Sequence, residues 1–192
     1  MADLPGTIAE LLSGDERLAE AAAACLPSLG TEALPRLLEL VTSREPDVRW
    51  WATRALAGFS HAAAAQAILA RLDDPEASVR QCAAVALRGR TSAESLPALA
   101  KALDDQDALV ARLAADALAS AGAAAIPHLE AALQSSARRA RLEAARALSS
   151  LHDPRAIPAL YAALNDPSAI VQHWAEQGLE ALGQGMVYFS PG

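Results

Sequence analysis

The chain has 192 residues, 53% of them hydrophobic but only 4% aromatic, and a formal net charge of −7. That length suits one domain or a short repeat array, the negative charge opposes the phosphate-tracking surface that nonspecific nucleic-acid binding needs, and no apolar run is long enough to cross a bilayer. The apolar surplus is alanine, a strong helix former of small volume, so a core must come from helices that approach closely.

The predicted elements are helices throughout, and they come in pairs. In chain order, a first helix opens at Pro5 and a second near Asp15, then come pairs from Pro35 and Asp47 and from around Gln66 and Glu76. Further pairs follow from Pro97 and Asp107, Pro127 and Ala137, and Pro158 and Ser168. Proline at five of six first-helix starts fits the first helical turn, where its missing N–H is not needed. The clusters between the two helices of a pair, such as "DDPEAS" and "NDPSA", are turn chemistry.

The second helices, called B here, share one pattern. Leu18, Val48, Val79, Val110, Ala140 and Val171 recur at intervals of 30 or 31 residues. Four residues on, alanine stands in all six: Ala22, Ala52, Ala83, Ala114, Ala144 and Ala175. Eight on, leucine does: Leu26, Leu56, Leu87, Leu118, Leu148 and Leu179. Offsets 0, 4, 7, 8 and 11 fall on one helical face, which is the predicted buried stripe. Self-similarity at this period is the signature of a stacked repeat array.

The "DP…VR..A..AL" signature, seen at Pro46-Asp47-Val48-Arg49, at Asp74-Pro75 with Val79-Arg80 and at Asp166-Pro167 with Val171, resembles the HEAT repeat family in a short form of about 31 residues. It is most similar to the HEAT-like repeats of phycobilin lyases and related bacterial scaffold proteins. The implied fold is all-α: an α-solenoid (superhelix) of six two-helix repeats, about 1–30, 31–61, 62–92, 93–122, 123–153 and 154–183, forming one domain over 1–183. Residues 184–192 form a C-terminal tail whose Tyr188 and Phe189 are expected to cap the last repeat, or else to mediate a homodimer or dock a partner. Two repeats depart from the pattern. Arg90 takes an apolar position in repeat 3, and the turn of repeat 5 is "QSSARRAR", so local irregularity is expected in both.

No P-loop, dinucleotide turn, nucleophile elbow or His-Glu-x-x-His helix is present. Cys25 and Cys82 lie two repeats apart, on the order of 20 Å at the usual helix spacing, too far to bond or share a metal. Two cysteines are no disulfide framework, and "AAAAC" at 21–25 lacks the basic and apolar segments of an export signal. A reducing cytoplasm is the expected location. No cofactor and no metal are expected.

The resemblance implies that B helices line the concave face, and that the loop acids Asp47, Asp74, Asp105 and Asp166 pair with Arg49, Arg80 and Arg141 in a ladder between repeats. Among the B residues that point away from the stripe are Trp50, Arg54, Arg88, Arg112, Arg146 and His173. Fifteen of the sixteen Lys and Arg residues are Arg, and Arg and Trp are the types most enriched at binding hot spots. Trp51 and Trp174, at the edge of the stripe, are expected to pack between repeats. The sequence therefore reads as a non-catalytic scaffold or adaptor whose concave face binds another protein through an acidic and apolar segment, with no nucleic-acid or membrane partner. Two other readings stand beside it: a bilin-lyase-like subunit whose arginines hold tetrapyrrole propionates, and a DNA-binding HEAT-like protein.

Overall fold

Alanine and leucine at helical spacing, punctuated by turn residues, fold into helices alone among the described residues, which are 3–184 of this computed structural model. The first helices of the pairs are α1 (Leu4–Leu11), α3 (Leu34–Leu40), α5 (Ala62–Ala70), α7 (Ser95–Ala102), α9 (Ile126–Leu133) and α11 (Ile157–Ala163). The B helices are α2 (Glu16–Cys25), α4 (Pro46–Leu56), α6 (Ala77–Leu87), α8 (Ala108–Ser120), α10 (Arg138–Leu151) and α12 (Ala169–Ala181). The architecture is an α-solenoid, and the B helices begin within two residues of the predicted starts.

Contacts gather the chain into two compact units that divide after Leu87. In unit 1, α2 packs on α1 and α4, and α4 packs on α3 and α6. In unit 2, α10 packs on α8, α9 and α12, while α7 covers α8 and α11 covers α12. The alanine row at offset 4 is the seam of this packing, since all six members are at most 1% exposed. The leucine row at offset 8 is buried in every repeat. Each leucine contributes roughly 1.5–3 kcal/mol by leaving water, and the alanines let the helices come near enough for that. Gly178 marks a close fit between two B helices, because a Cβ there would lie 2.9 Å from the Ser149 Cα on α10.

The helix ends follow side-chain chemistry. Asp15 accepts from the Arg17 and Leu18 N–H groups at the start of α2, and Asp107 does the same for Leu109 and Val110 of α8. In repeat 3 the helix itself is regular, since α6 stops at Leu87 as α4 stops at Leu56, but Arg90 lies exposed beyond it where Phe59 is buried in repeat 2. Repeat 5 is not irregular: its α10 spans 14 residues with no break. The missing acid of its turn is replaced by Ser135, whose Oγ accepts from the Ala137 N–H at 3.1 Å. His152 follows α10 with φ 50°, where Gly30, Gly122 and Gly183 stand in other repeats, so it serves as a turn residue.

Candidate functional site

The turn before each B helix is built by one polar side chain. Ser13, Ser43, Asp74, Asp105, Ser135 and Asp166 each accept a hydrogen bond from the backbone N–H two residues on. That local bond bends the chain between the paired helices. The Arg at offset 1 then locks the turn. Arg49 Nη1 donates to the carbonyls of Ser43 and Arg44, Arg80 Nη1 to those of Asp74 and Pro75, and Arg141 Nη1 to those of Ser135 and Ser136. Gln172 makes the corresponding bond to Asp166 in repeat 6.

Arg49 and Arg141 also reach the following repeat. Arg49 grips Asp74 through Nε and Nη2 at 2.8 and 2.7 Å, and Arg141 Nε donates to Asp166 at 2.7 Å. These are two rungs of the ladder that the family resemblance implies. Burial pushes the Asp74 carboxyl up, but the Arg49 hydrogen bond, the Glu76 N–H and the Arg49 and Arg71 charges outweigh it and hold the group below its ordinary value. Asp166 is lowered in the same way, burial being outweighed by Arg141, the Ser168 N–H and the charge of Arg138. The offset-1 arginines are therefore structural.

The far side of the B helices carries the residues singled out for binding, and the structure sorts them. In unit 1, Trp50 is half-buried, and its ring meets that of Trp51 edge to face at 4.6 Å between centroids. Trp51 does not go between repeats alone, since it and Trp50 wall an open cavity of about 740 Å³ beside α2 and α4. Arg54 is paired with Glu20, an acid on the same face of the preceding repeat. In unit 2, Arg146 is saturated: Nε donates to Glu143, Nη1 to Asp116 and Nη2 to the Arg112 carbonyl. Its side chain is only 11% exposed, so it ties α10 to α8. Arg88 and Arg112 are exposed, and the Arg112 side chain has no partner among the described residues. His173 is exposed and lies against Trp174, ring centroids 5.8 Å apart. Tyr188 and Phe189 lie outside the described residues.

Leu109 on α8 and Ile170 on α12 went unnoticed in the sequence. They are 50% and 42% exposed, among the most open large apolar side chains described. Both stand at offset −1, one turn before Arg112 and His173. Their signal was the interruption of an otherwise polar position.

Little here resembles a reaction centre. Burial pushes the Cys82 thiol up to about 12, so it is no ready nucleophile. Among the described residues, no three His, Cys, Asp or Glu side chains converge as a metal site would require. None of the described helices is long and apolar enough to cross a membrane.

The fold has solved counterparts. One is an engineered protein 23% identical over 98% of this chain and 100% of its own, with a TM-score of 0.58. Another is a designed armadillo repeat protein in complex with the peptide (KR)4, 21% identical over 94% of this chain and 100% of its own, TM-score 0.55. A third is the complex of CpcE and CpcF of phycocyanin lyase from Nostoc sp., 24% identical over 95% of this chain and 78% of that one, TM-score 0.56. At such identities the likeness is one of fold. No curated protein matches the sequence at a significant level. The HEAT repeat profile matches residues 4–88 and again 96–180, and with the paired helices, the buried alanine row and the Arg–Asp rungs already seen, the chain belongs to the HEAT repeat family.

Proposed function

We propose that the protein is a non-catalytic scaffold that binds another protein through the far side of its B helices. The observation that carries this is a repeated step in unit 2 of an exposed apolar residue followed one turn later by an exposed Arg or His. Leu109 and Arg112 are one turn apart on α8, and Ile170 and His173 are one turn apart on α12, all four exposed. Between those helices, Arg139 takes the same position on α10, donates to the Asp105 and Gln106 carbonyls and keeps its positive charge beside the step. A partner segment with acidic residues beside bulky apolar ones matches it: the apolar side chains supply buried area and the acids meet Arg112. Arg88 adds a second exposed guanidinium in the same unit. Arg146 serves this surface indirectly, by holding α10 against α8.

The experiment is selection from a peptide library followed by titration. Selected peptides should combine Asp or Glu with large apolar residues, and Arg112→Glu should weaken them about tenfold or more at low salt, less at high salt, because exposed charges are screened. Selected peptides without acids, or an unchanged affinity for the folded variant, would sink the reading.

A further inference from the structure

The cavity beside Trp50 in unit 1 has the opposite character. Its walls include Trp50, Trp51, Glu16, Glu20, Glu45 and Asp47, and no basic side chain lines it. Arg54 neutralises Glu20, which leaves Glu16, Glu45 and Asp47, all exposed and without an ion-pair partner among the described residues. Three helix N-termini, those of α2, α4 and α6, border this region through Glu16, Asp47 and Ser78, and each carries roughly half a positive charge. Three full negative charges against about one and a half positive leave the cavity negative.

Dipole compensation explains part of this pattern. Glu16 and Asp47 lie in the first turns of α2 and α4, where acids stabilise a helix. It does not explain why two indoles stand half-exposed around an open space. The site also rejects anions. The α2 N–H groups of Arg17 and Leu18 are taken by Asp15, and α4 begins with Pro46, which has no N–H, flanked by two carboxylates.

We infer that this cavity is a binding site for a basic peptide segment, with a Lys or Arg side chain laid against the Trp50–Trp51 pair and its charge met by Glu16, Glu45 and Asp47. Indole faces attract cations, and carboxylates around them supply the counter-charge. A volume of about 740 Å³ is more than one side chain needs and lies within the usual ~300–1,000 Å³ of ligand pockets, so a short segment fits better than a lone inorganic cation. The site is independent of the apolar and cationic step proposed in unit 2.

The test uses the whole chain and two synthetic peptides without tryptophan, one alternating Lys and Ala and the other alternating Glu and Ala. The indole N–H signals of Trp50, Trp51 and Trp174 are followed by NMR during titration. The basic peptide should shift the Trp50 and Trp51 signals and leave Trp174 in place, and the acidic peptide should shift neither of the first two. Glu45→Gln with Asp47→Asn, both on exposed positions, should weaken the basic peptide at least fivefold, and Trp50→Ala about tenfold. Arg112→Glu should not weaken it, which separates this site from the one in unit 2. Equal response to both peptides, no response to the basic one, or full affinity in the folded Glu45→Gln/Asp47→Asn variant would overturn the inference.

Discussion

Arg49 and Asp74 close one repeat onto the next: two guanidinium N–H groups meet the two carboxylate oxygens at 2.7 and 2.8 Å, with the side chains 8% and 1% exposed. The third nitrogen of the same guanidinium holds the turn of its own repeat. One side chain thus sets both the bend within a repeat and the register between repeats. The chain varies this device in a coordinated way. Arg49, Arg80 and Arg141 precede Asp74, Asp105 and Asp166 by 25 residues, whereas Ala19 and Ala111 precede Ser43 and Ser135 by 24. Asp builds the turn where Arg stands one repeat earlier, and Ser builds it where Ala does.

That rule makes a prediction for a double-mutant cycle. Arg49→Ala leaves the buried Asp74 carboxylate with only the longer 3.4 Å pair to Arg71 and the Glu76 N–H, and should cost about 2–3 kcal/mol of unfolding free energy. Asp74→Ser strands the guanidinium and should cost a similar amount. The double variant recreates the Ala–Ser combination of the first two repeats and should recover at least ~1 kcal/mol over the sum of the singles. Urea denaturation measures all four corners, and simple additivity would show that the pair is not coupled.

Acid should loosen the same contacts. Asp74 and Asp166 have carboxyls held below their ordinary value in the folded chain. A group depressed on folding contributes stability that is complete above its unfolded value of about 3.9 and is lost as the pH falls from there through the folded value. Melting temperature should therefore hold steady from neutral pH to about pH 5 and fall below pH 4. The Arg49→Ala/Asp74→Ser variant should show a shallower fall, and an identical acid limb would mean that other carboxylates govern it.

The helical pairing was legible because it rests on periodicity, and the alanine and leucine rows repeat without exception. The Ser or Asp row at 13, 43, 74, 105, 135 and 166 was equally present in the sequence. It was missed because only its acidic members look like a ladder, while its shared role is a backbone bond that serine makes as well. Arg54 and Arg146 read as groove residues because their offsets are right. Their partners Glu20 and Asp116 sit on the same face one repeat earlier, so the neutralisation depends on lateral stacking that helical offsets alone do not display. The Trp50–Trp51 cavity was not legible at all, since it arises from how two consecutive indoles of α4 lie beside the starts of the neighbouring helices α2 and α6.

Packing at the seam leaves no room for growth. Ala83 and Ala114 are fully buried, so Ala83→Leu and Ala114→Leu should each destabilise by ~1–3 kcal/mol through overpacking. Gly178→Ala adds only a methyl group, yet it meets the Ser149 backbone and both Leu160 methyls within 3.2 Å. A leucine side chain can rotate away, but the α10 backbone cannot, so this variant should fall in the same range despite its size. Unchanged melting temperatures in all three would mean that the helices can part at little cost.

The two thiols should differ in reactivity. Cys25 is half-exposed, whereas Cys82 is 8% exposed and burial raises its thiol to about 12. At pH 8, a thiolate-specific reagent such as a disulfide dye should label one cysteine quickly. Peptide mapping should identify it as Cys25, with Cys82 labelled only on denaturation. Cys82 Sγ lies 3.8 Å from the Trp50 carbonyl oxygen, and rapid labelling of Cys82 in the native protein would show that this contact opens readily.

Arg146 and Arg112 share the far side of the B helices of unit 2, and they should separate cleanly by experiment. Arg146 meets three acceptors and is largely shielded. Removing it strands Glu143, which is 10% exposed, and releases Asp116, which is 30% exposed and better able to regain water. Arg146→Ala should therefore cost about 2–3 kcal/mol, below the full penalty of a deeply buried pair. Arg112 offers its carbonyl to Arg146 but commits no side-chain nitrogen, so Arg112→Ala should change stability by no more than ~0.5 kcal/mol. Binding of an acidic and apolar peptide should show the reverse order. Arg112→Ala should weaken it in a salt-dependent way, and Arg146→Ala should act only as far as it loosens α10 against α8. Chemical denaturation and peptide titration on both variants give the four numbers needed. Equal stability loss for both would make Arg112 a structural residue as well, and would leave Leu109 and Ile170 to account for any binding in unit 2.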